Sequence, residues 1–169
     1  MQSEDNYQRM MAIIDKVFAT GKDKNQIQVT KKDMQKLIKI HPSCLSEIAN
    51  ENGPIIWVLM IPTTQKIMED FLGKKISEKQ ILENTMPGEN YSCIYLCSAS
   101  TLPEFAGKGL TKKLCLEAIE KMRKSYAIEN LFVWPFTPAG KELAKKISSE
   151  TSWNLFFLKY KFLIFYFER

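Results

Sequence analysis

Gly107 and Gly109 lie one residue apart, with Lys108 between them and Lys112 and Lys113 close behind. They open a segment in which Leu110, Leu114, Ala118 and Met122 recur every fourth residue, flanked by Cys115, Ile119 and Tyr126. Lys112, Lys113, Glu117, Glu120, Lys121 and Lys124 fall on the other side, a spacing that predicts an amphipathic helix. A glycine loop that opens a helix leaves several backbone N–H groups pointing outward, at the positive end of the helix dipole. The chemistry on offer is capture of a phosphate or diphosphate, with the glycines letting the ligand approach the main chain. The plainer alternative is a strand–turn–helix connection whose glycines serve geometry alone. Other polar candidates are sparse. His41, the single histidine, precedes Pro42 at an expected helix end and reads as a cap or surface residue. Glu104, beside the glycine loop, is either a base or a solvated turn residue. No Ser–His–Asp arrangement, paired-carboxylate signature or metal constellation stands out, and no metal is expected.

The run PEFAGKGLTKKL, Pro103 to Leu114, resembles the acyl-CoA-binding signature of the GNAT superfamily of N-acyltransferases. Pro103, Gly107, Gly109 and Leu110 match it. Ala106 stands where the family usually has Arg or Gln, and Thr111 where it has Gly or Ala. The resemblance implies an α+β, three-layer α/β/α fold with a mixed, mostly antiparallel central sheet flanked by helices. It implies acetyl-CoA, or another acyl-CoA, as co-substrate and a small-molecule or peptide amine as acceptor. The pyrophosphate would meet Ala106, Gly107, Lys108, Gly109, Leu110 and Thr111. The pantetheine arm would run along Ala99, Ser100 and Thr101 as an added strand does. Tyr95 stands where some relatives place a carboxylate base, and Cys97 would share its face with Ser98 opposite. Both are catalytic candidates by position, and both read equally well as core residues. A GNAT-like module that holds CoA or another ligand without turnover is the alternative.

At 169 residues the chain reads as one domain, 1–169, long enough to bury a core without metals or disulfides. Four cysteines (Cys44, Cys93, Cys97, Cys115) form no CxxC pair and read as free thiols. The sequence shows no leading signal segment and no apolar run long enough to span a bilayer, so a cytoplasmic, membrane-free protein is expected. The net charge of +5 is spread over helices that also carry Glu and Asp, which argues against nucleic acid as the partner.

Around the glycine loop, a first helix is expected from Ser3 to Gly21, with an apolar stripe from Tyr7 to Phe18. Gln26–Val29 suggests a short strand. Thr30-x-x-Asp33 is a capping box for a helix through Met34, Leu37 and Ile38 that stops before Pro42. Leu45–Ala49 and Ile55–Ile61 read as a hairpin closed by Pro62, the second strand buried on both faces. A helical insertion spans about 63–84, with Thr64 as cap, Gly73 as stop and Ser77-x-x-Gln80 as a second capping box. It reads as a lid or substrate wall, or as a helical pair packed over a sheet edge. Pro87-Gly88 marks a turn, Cys93–Thr101 and Leu131–Phe136 strands, and Thr137-Pro138 the start of a helix burying Ala139, Leu143, Ala144 and Ile147. A loop over Ser148–Ser152 leads to an aromatic C-terminal strand, either central in the sheet or covered by a second copy in a homodimer.

Overall fold

The computed structural model describes residues 5–18 and 23–158. The expected Ser3 and Gly21 caps, and the chain beyond Leu158, lie outside them. The described residues form six helices and a five-stranded open mixed sheet, an α+β fold. Helix α1 (Asn6–Phe18) is tied to the first hairpin through Asn6. The Asn6 side-chain amide donates to Asn50 Oδ1 at 3.0 Å and to the Gly53 carbonyl at 3.3 Å. Helix α2 (Lys31–Ile40) carries the full capping box between Thr30 and Asp33 and ends ahead of Pro42. It buries Leu37 and Ile40, whereas Met34 and Ile38 remain exposed. Residues 26–29 are not a strand. Their hydrogen bonding turns instead to a side chain, with the Ile27 N–H donating to Glu78.

Strands β1 (Leu45–Asn50) and β2 (Gly53–Thr63) form the hairpin, and β2 pairs antiparallel with β3 (Cys93–Thr101). Pro62 does not close β2 but sits inside it, opposite Ile94. The reason is local. Thr63 faces β3, its carbonyl accepting from Ser92 N–H at 3.1 Å, so Pro62 faces the other way. There β1 has not yet begun, its first paired residue lying opposite Leu59, and no ladder bond is lost.

Helices α3 (Gln65–Leu72) and α4 (Glu78–Asn84) fill the expected insertion, capped by Thr64 and Ser77 as the sequence indicates. They pack into the core rather than over an edge. Phe71 of α3 is 2% exposed and meets the rings of Tyr95, Phe132 and Trp134. Helix α5 (Leu110–Arg123) buries Leu114, Cys115, Ala118, Ile119 and Met122 of the expected stripe, with Leu110 half-buried and Tyr126 past its end, and lies against β1, β2 and β3. It leads to β4 (Asn130–Val133), shorter than expected because Pro135 follows. Helix α6 (Pro138–Thr151) has Thr137 as its cap and buries Ala144 and Ile147, but leaves Ala139 exposed. It takes up most of the anticipated loop and ends on Ser152 in the left-handed region. Strand β5 (Asn154–Phe157) follows and is an edge strand among the described residues, not a central one. The β3–β4 and β4–β5 pairings are both parallel, so the described sheet is evenly mixed rather than mostly antiparallel. No helix among the described residues is long and apolar enough to cross a membrane.

Candidate functional site

Two irregularities in β3 create the site. Parallel pairing with β4 covers only Cys93↔Asn130, Ile94↔Leu131 and Tyr95↔Phe132, after which β4 runs one residue further without pairing to β3, and β3 continues to Thr101 with β2 as its one partner strand among the described residues. The second is a β-bulge. Leu59 pairs with Ser98 and Met60 with Leu96, leaving Cys97 as the extra residue. Where the strands part, a cleft of about 710 Å³ opens between β3, the start of α5, α6 and Trp134–Thr137. The backbone of β3 is available there. Leu102 N–H donates to Ile55 O at 3.0 Å, so by alternation Thr101 and Ala99 turn their N–H and C=O groups toward the cleft. Ser100 turns toward β2, and its side chain is buried.

The glycine loop stands at the same cleft. Gly107 (φ +74°) and Gly109 (φ +73°) are both left-handed, and a Cβ built on either meets nothing within 4 Å. Ala106 N–H is bonded back to Pro103 O, closing the short 3-10 turn Pro103–Phe105. From Gly107 to Lys112 the backbone N–H groups have no partner among the described residues. They converge at the N-terminus of α5, which is a ready anion seat. The side chains are less available than their charges suggest. Lys108 sits over the Phe105 ring at 5.2 Å, Lys112 is ion-paired with Glu150, and Lys113 is 3.9 Å from Glu117. Thr111 bonds its hydroxyl to that of Thr101 at 2.6 Å. The main chain, not the lysines, is what the loop presents.

Tyr95 and Cys97 converge on a residue the sequence did not single out. Glu78, the first residue of α4, is 5% exposed. It accepts from Tyr95 Oη at 2.6 Å, from Ile27 N–H at 3.1 Å and weakly from Cys97 Sγ at 3.9 Å. Burial raises its pKa, against the opposing pull of the Tyr95 and Ile27 hydrogen bonds. Burial, and then the Glu78 carboxylate, push the Cys97 thiol well up, so it stays protonated. Tyr95 is fully buried and lines neither cavity, and its hydroxyl meets Glu78. Ser98, expected on the opposite side from Cys97, lines both cavities with it because the bulge resets the alternation. In the sequence, Glu78 reads simply as a first-turn acid complementing its helix dipole. Its burial is a tertiary fact.

The remaining candidates are structural. His41 caps the Pro42–Cys44 turn, its Nδ1 accepting from Ser43 N–H at 3.0 Å, with burial lowering its pKa. Glu104 is ion-paired with Arg9 at 2.8 Å, which holds its carboxyl below the usual range. The four cysteines are free, with Cys44, Cys93 and Cys115 buried.

Glu78 gives a pH signature. Its folded-state pKa lies above the ordinary 4.5, so its contribution to stability is full below that value and is lost as pH rises through the raised one. Thermal melting of the protein and of Glu78→Gln from pH 4 to 8 should show this as a difference. The unaltered protein loses stability relative to the variant as pH increases, and parallel curves would refute it.

No family model matches the chain, and no curated protein matches it in sequence.

Proposed function

We propose that the chain is an acyl-CoA-dependent N-acyltransferase, moving an acetyl or other acyl group from CoA to an amine. The observation that carries this reading is the run of unpartnered amides from Gly107 to Lys112 at the mouth of a cleft between diverging parallel strands. Such a run suits a diphosphate, and the open main chain of Thr101 and Ala99 suits the amide-bearing arm behind it. The GNAT-like order, antiparallel strands followed by a parallel pair joined through α5, supports the same assignment. The thioester then lies near the bulge, where an N–H of β3 stabilises the developing oxyanion. Catalysis asks chiefly for orientation of the two reactants and a proton acceptor for the ammonium.

A ligand-holding module without turnover is the second reading. It is favoured by the engagement of Lys108 with Phe105 and of Lys112 with Glu150, which leaves the loop little free cationic charge. Melting with and without acetyl-CoA, followed by thiol release with a panel of amines, separates the two. A shift with thiol release supports the transferase, and a shift without it the module. No shift with acetyl-CoA well above micromolar concentration rejects the transferase and any module that holds CoA.

A further inference from the structure

A second cavity, about 740 Å³, shares Val58, Leu59, Cys97 and Ser98 with the first. Its walls include Ile14, Ile27 and Leu45, yet its charged lining is of one sign. Glu78 is buried, Asp15 and Glu47 are exposed, and no Lys, Arg or His lines it among the described residues. That is unexpected in a chain of net charge +5. An acidic cluster alone would not identify a ligand. Gln26 supplies an independent sign: it lines the same cavity at 7% exposure, and its Oε1 has no hydrogen-bond partner among the described residues. A buried carbonyl oxygen of this kind calls for an N–H donor. Tyr7 and Trp57, packed edge to face at 5.5 Å, add aromatic surface that suits a cation.

We infer that this cavity receives an aliphatic di- or polyamine as the acyl acceptor, with its leading nitrogen against Glu78 and the Gln26 carbonyl. Its methylenes lie along the apolar wall, and its second cation faces Asp15 and Glu47. The inference rests on the acyltransferase reading and names that reaction's acceptor. Glu78 takes one proton from the leading ammonium, freeing the nitrogen lone pair. The nitrogen attacks the thioester carbonyl at the junction of the two cavities and forms the C–N bond. The C–S bond then breaks with its electron pair going to sulfur, and the second nitrogen proton goes to that thiolate, giving amide and thiol. Glu78 returns its proton to solvent. The titratable groups facing Glu78 are Tyr95 and Cys97 from β3 and Asp23 from the segment before α2.

Titrating the full chain with spermidine, 1,5-diaminopentane and 6-aminohexanoate, read by tryptophan fluorescence, tests the acceptor class. The two amines should bind at least tenfold more tightly than 6-aminohexanoate, whose far end is a carboxylate. Equal binding of all three, or no binding of the amines, overturns the inference. Acetyl-CoA-dependent melting of the same samples reports separately whether the acyltransferase reading stands. With acetyl-CoA present, spermidine should release thiol, and spermidine bound without thiol release overturns the acceptor role. Glu78→Gln should lower kcat about 100-fold and remove its rise with pH while keeping the acetyl-CoA melting shift. An unchanged kcat or pH profile overturns the assignment of Glu78. Should that buried substitution disturb folding, the exposed Glu47→Gln provides the second test. It should weaken spermidine about tenfold without weakening hexylamine, and equal losses count against the second-cation contact.

Discussion

Gly109→Leu is expected to remove the rise in melting temperature that acetyl-CoA should give the unaltered protein if the proposed function holds, while the variant still unfolds in one cooperative transition. A ligand at a hundred times its Kd stabilises a folded chain by about 2.7 kcal/mol, or roughly 5–10 °C for a domain of this size. Leucine at position 109 costs little in packing, because no atom lies within 4 Å of the added Cβ. It costs about 1–2 kcal/mol in backbone strain, because φ is +73° and L residues avoid that region. The side chain would instead occupy the space in front of the free amides. Gly88 provides the control, with φ +88° and equally open surroundings, but in the turn before β3 and not among the cleft residues. Gly88→Leu should pay a comparable strain and keep the acetyl-CoA shift. If both variants respond to acetyl-CoA alike, the diphosphate does not bind at the glycine loop.

Phe71→Ala is expected to cost about 3–5 kcal/mol, lowering the melting temperature by about 10 °C or more. The ring is nearly inaccessible and meets three others, from β3, β4 and the segment after β4: Tyr95 at 5.4 Å, Phe132 at 6.0 Å and Trp134 at 6.5 Å from its own centroid. Removing it leaves a cavity beneath the two parallel strands where they still pair, and loosens the Tyr95 hydroxyl that meets Glu78. The size of the loss decides what the insertion is. A helix that swung as a lid would lose little from truncation of one side chain, so a change below about 1 kcal/mol would restore that interpretation. Calorimetry or denaturant unfolding supplies the measurement.

Local signals carried much of the architecture. Thr30, Thr64, Ser77 and Thr137 each start a helix where their spacing to the following residues indicates, because a cap is decided within one turn. The α5 stripe and the loop glycines were legible for the same reason, since helical period and positive φ leave residue-type signatures. Pairing was less accessible. Pro62 looked like a strand terminator, and only the short reach of β1 shows why it is tolerated within β2. The Cys97 bulge has no residue-type marker, and it inverts the expected placement of Ser98. Glu78 was hidden because its partners lie 17, 19 and 51 residues away, beyond any local pattern. The expected loop over 148–152 failed for a different reason: beyond Ile147 the run is wholly polar, with no apolar residue to mark the continuing period, so the last helical turn looks like a loop.

The hydroxyl bridge between Thr101 and Thr111 fastens the end of β3 to the first turn of α5. A threonine at that position departs from the small residue the GNAT signature usually has, yet here it staples both ends of the connecting loop. Little conformational freedom is then left for an arriving diphosphate to freeze out, so its association should be limited by encounter rather than by loop rearrangement. Severing the staple with Thr111→Ala should therefore slow capture by making the seat assemble around its guest.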